Sequence, residues 1–378
     1  MKKYFSLLAI TTLTATLGLT SCDDSDDGPE LIIDPVETSD GVFVINSGNK
    51  SGGIDGSLTY YEYATGKLTQ NVYQAANEAS LGATPNHAVV YGSKIYIVGN
   101  GEQTIFVADR KTLKNVAMIK VNVNGEAAQP REAVAGNGHV YVSTYQNAVI
   151  AIDTLTNEID NTFESGNYSE GMAIDGKYLY VADSNYGKGF TETSKPSISG
   201  IDLTTGKRTI FEDEHKQIAN PVDVKIVNGR MFILDSGSYD ANWNQVGAGV
   251  YELINGVATK RADATEMAVS NNKIFMINAP YTTPVTTPTY KVFDLASNTT
   301  TTFCNGDEIE YPAKISVDPV KGNVFITSYH IGSNGYADYK GAGYCVIYDG
   351  TGAVKRKFDC GVGAGRVIPN TGVEFVQK

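Results

Sequence analysis

The chain is poor in the residues that build metal and redox centres. Four Cys and four His occur in 378 residues, with no CxxC pair and no HExxH, which argues against a dedicated zinc or iron–sulfur site. No GxSxG nucleophile elbow occurs. The run Gly361-Val362-Gly363-Ala364-Gly365 is not placed between a strand and a helix, so it lacks the context of a dinucleotide site. Basic residues are few: 30 Lys and Arg against 42 Asp and Glu give a net charge of −12, unsuited to a nucleic-acid backbone. Long 3.6-periodic apolar stripes are missing too, which excludes a coiled coil and a solenoid of helices. Gly (39), Tyr (23) and 42% hydrophobic residues are abundant and describe a globular chain with a sizeable core.

Met1-Lys2-Lys3 is a positive n-region, and the apolar stretch 4–19 is too short and Thr-rich for a spanning helix, so residues 1–21 read as a signal peptide. Leu19-Thr20-Ser21-Cys22 resembles a bacterial lipobox, which makes Cys22 the expected acylated N-terminus. Asp23-Asp24-Ser25-Asp26-Asp27 follows, a like-charge block that cannot fold on itself, so 22–40 is expected to be an acidic, lipid-anchored tether. Loss of Lys2 and Lys3 with the signal leaves 28 positive and 42 negative side chains, net −14.

One signature, aliphatic–aromatic–aliphatic, recurs seven times with its aromatic at 43, 96, 141, 180, 232, 275 and 325. The repeats are 39 to 53 residues apart and built from short runs rich in Val, Ile, Tyr, Phe and Thr, so each is strand-made. In one unit four runs are evident, 132–135, 139–143, 148–153 and 158–163. Four antiparallel strands at this period predict a β-propeller blade. The first copy, 42–73, lacks an inner strand, while 364–368 or 372–376 has no blade of its own. Residues 41–378 are therefore expected to form an all-β, seven-bladed propeller closed by pairing of its N- and C-terminal strands.

Third strands often end in Asp (Asp109, Asp153, Asp202, Asp294) before a polar turn, where a carboxylate accepts turn amides and has no need of a metal. The run Asp318-Pro319-Val320-Lys321-Gly322-Asn323 reads as a hairpin turn for the same reason. Cys345 is expected to face Arg356 across a turn at Gly350-Thr351, about 13 Å of strand short of Cys360, which precludes a disulfide. Cys304, Cys345 and Cys360 read as buried thiols.

The long insertions, 183–197, 235–246, 278–288 and 328–342, fall between second and third strands, on the face where the central channel opens. Insertions confined to one face mark a binding face. They carry Tyr186, Tyr239, Trp243, Tyr281, Tyr329 and His330, with Tyr336 and Tyr339, aromatics with polar tips that either grip a bulky amphipathic ligand or cover blade edges. A second ring comes from the starts of the inner strands: Asn86, His87, Arg131, Glu132, Glu170, Asp223, Glu266 and Lys314, with Gly171 as the small member. These residues either hold a ligand or solvate a water-filled channel. Glu132, Asp223 and Glu266 as channel acids, with His87 or His330 as base, form the only enzymatic alternative, and spacing does not establish it.

Together with the lipobox and acidic block, the segments Gly41-Val42-Phe43-Val44-Ile45-Asn46-Ser47-Gly48-Asn49, Gly56-Ser57-Leu58-Thr59-Tyr60-Tyr61 and Ser169-Glu170-Gly171-Met172-Ala173 resemble the YncE-like propeller lipoproteins of gut bacteria, and among them the BtuG type. That resemblance implies a non-enzymatic surface lipoprotein of the outer membrane. It would capture cobamides (vitamin B12 and relatives) and pass them to a TonB-dependent transporter, with no cofactor required. Surface glycan or peptide binding is the alternative use of the same aromatics.

Overall fold

The computed structural model describes residues 33–184 and 195–377. Two compact units are distinguished: residues 37–372, and a small one formed by residues 1–36 and 373–378. The larger unit contains the propeller. Among the described residues there are seven four-stranded antiparallel sheets. In blade 3 the strands are Pro130–Gly136, His139–Thr144, Ala148–Asp153 and Ile159–Glu164, within two residues of the runs expected from the sequence. No helix among the described residues is long and apolar enough to cross a membrane.

The C-terminal strand Ala364–Gln377 lies beside Ile33–Asn46, which pairs with Ser57–Glu62 and then with the two-residue Leu68–Thr69. The last strand of the chain is thus the inner strand of blade 1, and no blade is left with an open inner edge. The first copy does not run on as strand to Tyr73. A short helix, Val72–Asn77, takes over, and its Tyr73 is buried against Phe106 of blade 2 at 5.8 Å between rings.

The signature aromatics explain why blades stack. Phe43, Tyr96, Tyr141, Phe232, Phe275 and Phe325 are buried, and Tyr180 is half-buried against Phe211. Tyr96 of blade 2 packs in one cluster with Val140, Val142 and Ile150 of blade 3, so the signature fills the seam between sheets. Burial of one such side chain is worth roughly 1.5–3 kcal/mol.

The Asp-ended hairpins form as expected. Asp153 Oδ1 accepts the Leu155 and Thr156 amides, both at 2.8 Å, and Asp318 Oδ1 accepts those of Val320 and Lys321 at 2.9 and 3.0 Å. The cysteine register needs correction: Cys345 pairs with Phe358, and Arg356 faces Ile347. Asp349 gathers the Thr351 and Ala353 amides into a longer turn, and a register shift between Ile347 and Tyr348 adds to the offset. Cys345 and Cys360 are buried free thiols in one apolar cluster, and Cys304 is a half-buried free thiol.

Candidate functional site at the channel mouth

Each inner strand starts at the same end of the channel, and its first residues set the chemistry there. Blades 2, 3 and 5 start with Pro85, Pro130 and Pro221, blade 4 with Ser169 and blade 1 with Ala364. Two residues on stand His87, Glu132, Asp223, Gly171 and Arg366. Register shifts follow Pro85, Pro130, Ser169, Pro221 and Pro312. Such bulges re-aim side chains beside a site, here toward the channel. Glu266 of blade 6 and Lys314 of blade 7 complete the ring. Gly171 is small for a reason: a Cβ there would come within 2.2 Å of Asp223 Oδ1.

Two adjoining cavities open at this end. One, of about 360 Å³, is lined by Asn86, Arg131, Glu132, Glu170, Lys314, Tyr311, Tyr329, Tyr339 and Arg366 among others. The second, about 250 Å³, adds Asp223, Glu266, Ser236 and Thr265 and shares Arg131, Glu132, Glu170, Lys314 and Arg366.

Charges are paired throughout. Arg366 Nη2 donates to Glu132 Oε1 at 3.1 Å, Arg131 Nε to Glu170 Oε2 at 3.1 Å and Lys225 Nζ to Asp223 Oδ1 at 2.6 Å. Lys314 Nζ donates to Glu266 Oε1. The Arg131 guanidinium lies 4.6 Å from the Tyr145 ring centre, and the Tyr145 hydroxyl donates to Glu170 Oε1. With its amide oxygen turned inward, Asn86 accepts from Arg131 Nη1 at 2.8 Å. Four cations thus face four carboxylates, and the fully ionised ring has no net charge.

Burial disfavours charge on each of these carboxyls, and the outcome depends on the partner. Burial, the largest single influence, would raise Glu132, but Arg366 and the other positive groups around it together outweigh burial and hold this carboxyl well below its ordinary range. For Glu170 and Asp223 burial wins over Arg131 and Lys225, and both are raised. His87 accepts the Ala133 amide on Nδ1 at 3.3 Å, and desolvation pushes its pKa down to about 4 against the pull of Glu132. This imidazole is neutral at pH 7. An unfolded chain takes up a proton at His87 near pH 6.5 while the folded one does not, so the site costs stability as pH falls from about 6.5 toward 4. NMR titration is expected to find the His87 ring neutral at pH 5; a midpoint near 6.5 would contradict the packing.

A tyrosine rim borders the charged ring. Tyr329 and Tyr339 meet edge to face at 5.0 Å, and Tyr311 lies opposite Tyr329 on the neighbouring strand. Neighbouring loops brace each other. Asn49 Nδ2 donates to the Tyr339 carbonyl at 2.8 Å, Gln245 N to the Tyr281 carbonyl at 2.7 Å, and Thr283 N to Asn244 Oδ1 at 2.8 Å.

Of the residues expected from the sequence, Asn86, Arg131, Glu132, Glu170, Asp223, Glu266, Lys314 and Tyr329 converge on the two cavities. His87, Tyr239, Trp243, Tyr281 and His330 line neither cavity. Trp243 is 73% exposed near a loop tip, 6.4 Å from the Tyr239 ring; His330 lies over Tyr344 and pairs with Glu310 at 2.8 Å. Tyr186 and Cys22 lie outside the described residues. Tyr339, a loop aromatic expected from the sequence, lines the larger cavity beside Tyr329, whereas Arg366, Tyr311, Tyr145 and Lys225 were not singled out in the sequence. For Arg366 the signal was present, since Ala364-Gly365-Arg366 has the small–X–polar form of the other strand starts.

Residues 40–358 match the family described as a domain of unknown function (DUF5074). The chain belongs to that family. Comparison with curated proteins gives no match. Among solved structures, the hydrazine synthase of Kuenenia stuttgartiensis is similar over 78% of this chain and 95% of that one, with 13% identity and a TM-score of 0.54; at that identity the likeness concerns the fold alone. The computationally designed Ika8 protein is similar over 78% of this chain and 96% of that one, at 12% identity and a TM-score of 0.47. The DUF5074 match spans blade 1 through most of blade 7 and stops short of Arg366, so the closing strand's contribution to the mouth lies beyond it.

Proposed function

We propose that this DUF5074 protein is a non-enzymatic capture propeller that binds cobamides at the channel mouth. On this reading it is anchored to the outer membrane through Cys22, faces outward, and hands its ligand to a TonB-dependent transporter. The observation that carries the reading is the mouth itself, a ring of matched charges bordered by tyrosines. A corrinoid has an apolar ring, amide side chains and a phosphate-containing loop, so it calls for aromatic faces together with polar groups from several blades. Matched charges offer hydrogen bonds in both senses without a strong net field. A cavity of about 360 Å³ is at the small end for a drug-sized ligand, so a corrinoid rests on the rim with only part of itself inserted. The exposed Tyr239–Trp243 pair, outside both cavities, favours a second reading as a glycan-binding surface.

Cyanocobalamin is expected to raise the melting temperature of the mature chain, since a ligand at a hundred times its dissociation constant adds about 2.7 kcal/mol to stability. Tyr329→Ala and Tyr339→Ala should each weaken binding by roughly 1–3 kcal/mol, and Trp243→Ala by less. Equal losses at all three positions, or a shift with oligosaccharides and none with cobamides, would move the site onto the glycan reading.

A further inference from the structure

We infer that the smaller cavity is a carboxamide subsite, in which Asp223 Oδ2 and Glu266 Oε2 accept the two N–H bonds of a primary amide; this rests on the reading of the mouth as a ligand site. Asp223 is 1% exposed. Its Oδ1 accepts from Lys225 Nζ at 2.6 Å and from the Val224 amide at 2.9 Å, while Oδ2 is buried with no partner. On the next blade Glu266 repeats the arrangement: Oε1 accepts from Lys314 Nζ, and Oε2 is buried and unpartnered. Both residues line the 250 Å³ cavity. A buried acceptor left without a donor costs about 1–3 kcal/mol, and two on adjacent blades at one cavity form an acceptor pair awaiting a donor.

The surrounding charges decide what kind of donor. Lys225 and Lys314 already neutralise these carboxylates, and Arg131 and Arg366 are matched by Glu170 and Glu132. A metal ion or an ammonium group would bring an unmatched positive charge among four cations. A carboxylic acid would place a carboxylate against two acceptor oxygens. A primary amide is neutral, presents two N–H donors, and has a carbonyl for which Lys314 and Arg366 at the same cavity supply donors. Gly171 leaves room for Asp223 itself, since a Cβ there would fall 2.2 Å from Asp223 Oδ1. Amide side chains of the kind a cobamide carries meet this requirement, and hydrolysis of such an amide to the acid should abolish the fit.

The variants Asp223→Asn and Glu266→Gln test the inference through selectivity. Lys225 and Lys314 hold the Oδ1 and Oε1 positions as acceptors, so the new amide nitrogens point into the cavity and now offer N–H groups. Two ligand pairs are used with the mature chain and the double variant: acetamide and acetate by saturation-transfer NMR, and cyanocobalamin with its monocarboxylate derivatives by calorimetry. The expected result is saturation of acetamide and not acetate in the wild type, with the preference lost or reversed in the double variant. For the corrinoids, cyanocobalamin should bind about tenfold more weakly to the double variant, with recovery on a monocarboxylate derivative. A mere packing defect would weaken amide and acid alike, and that outcome overturns the inference. Tight cyanocobalamin binding unchanged in the double variant also overturns it while leaving the capture function standing. Acetamide discrimination without any cyanocobalamin binding supports the subsite and removes the cobamide reading.

Discussion

Deleting residues 366–378 is expected to abolish cooperative melting of the propeller. The cut removes most of the strand that completes blade 1, leaving Ile33–Asn46 as an open edge. Buried Val367, Ile368 and Asn370 go with it, as does the acceptor that holds Arg110 Nη1 at 2.9 Å through Asn370 Oδ1. Arg110 keeps Asp40 Oδ2 at 2.9 Å, but two apolar side chains at roughly 1.5–3 kcal/mol each, the lost ladder and an orphaned Glu132 together approach the 5–15 kcal/mol that holds a whole domain. Each blade depends on its neighbours, so the loss spreads around the ring. Truncation after Gly372, which keeps the full 37–372 unit, should melt as the intact chain does. Calorimetric melting of both truncations checks the assignment; equal melting would refute it.

The second large effect belongs to a single side chain. Arg366→Met should destabilise the protein by about 3 kcal/mol at pH 7, because it leaves the Glu132 carboxylate buried without its partner. The two side chains are 14% and 17% exposed, so solvent recovers little of that loss. The double variant Arg366→Met, Glu132→Gln should regain most of it, since removing both charges leaves none uncompensated. The pH dependence has a definite sign. Glu132 is held below its unfolded pKa, so its contribution is present above about pH 4.5 and is lost as pH falls through the depressed folded value. The gap between wild type and Arg366→Met should therefore narrow on acidification, whereas a gap independent of pH would mean that lost packing, not charge, is responsible.

The sequence made the architecture legible because the seam-filling aromatics recur in the same strand seven times, and a repeat exposes itself wherever its unit must bury the same face. The polar ring was legible in part, since Pro-Asn-His, Pro-Arg-Glu and Pro-Val-Asp at strand starts align without knowledge of the fold. Arg366 escaped because two C-terminal segments, 364–368 and 372–376, have equal strand character, and only pairing with Ile33–Asn46 shows them to be one long strand. The pairing of Arg366 with Glu132, 234 positions away, is a product of ring closure and has no local signal. Tyr311 meets Tyr329 as its cross-strand partner in blade 7, a register that no local signal at Tyr311 announces. The cysteine register failed for a smaller reason, a longer turn at Asp349 and one bulge, which together moved Cys345 two residues along its partner strand. Trp243 and His330 were singled out for their chemistry, yet their side chains line neither cavity: the loop hairpin ends outward at Trp243, and Glu310 and Tyr344 hold His330.

Capture of a corrinoid at the channel mouth is tested most directly by titration calorimetry of cyanocobalamin into the mature chain, with Tyr329→Ala alongside. The account predicts one-to-one binding with a negative heat-capacity change, as expected when apolar surface is buried, and an affinity weakened by about tenfold or more in the variant. Absence of heat at any temperature with cyanocobalamin and other cobamides, or binding indifferent to Tyr329, would contradict it.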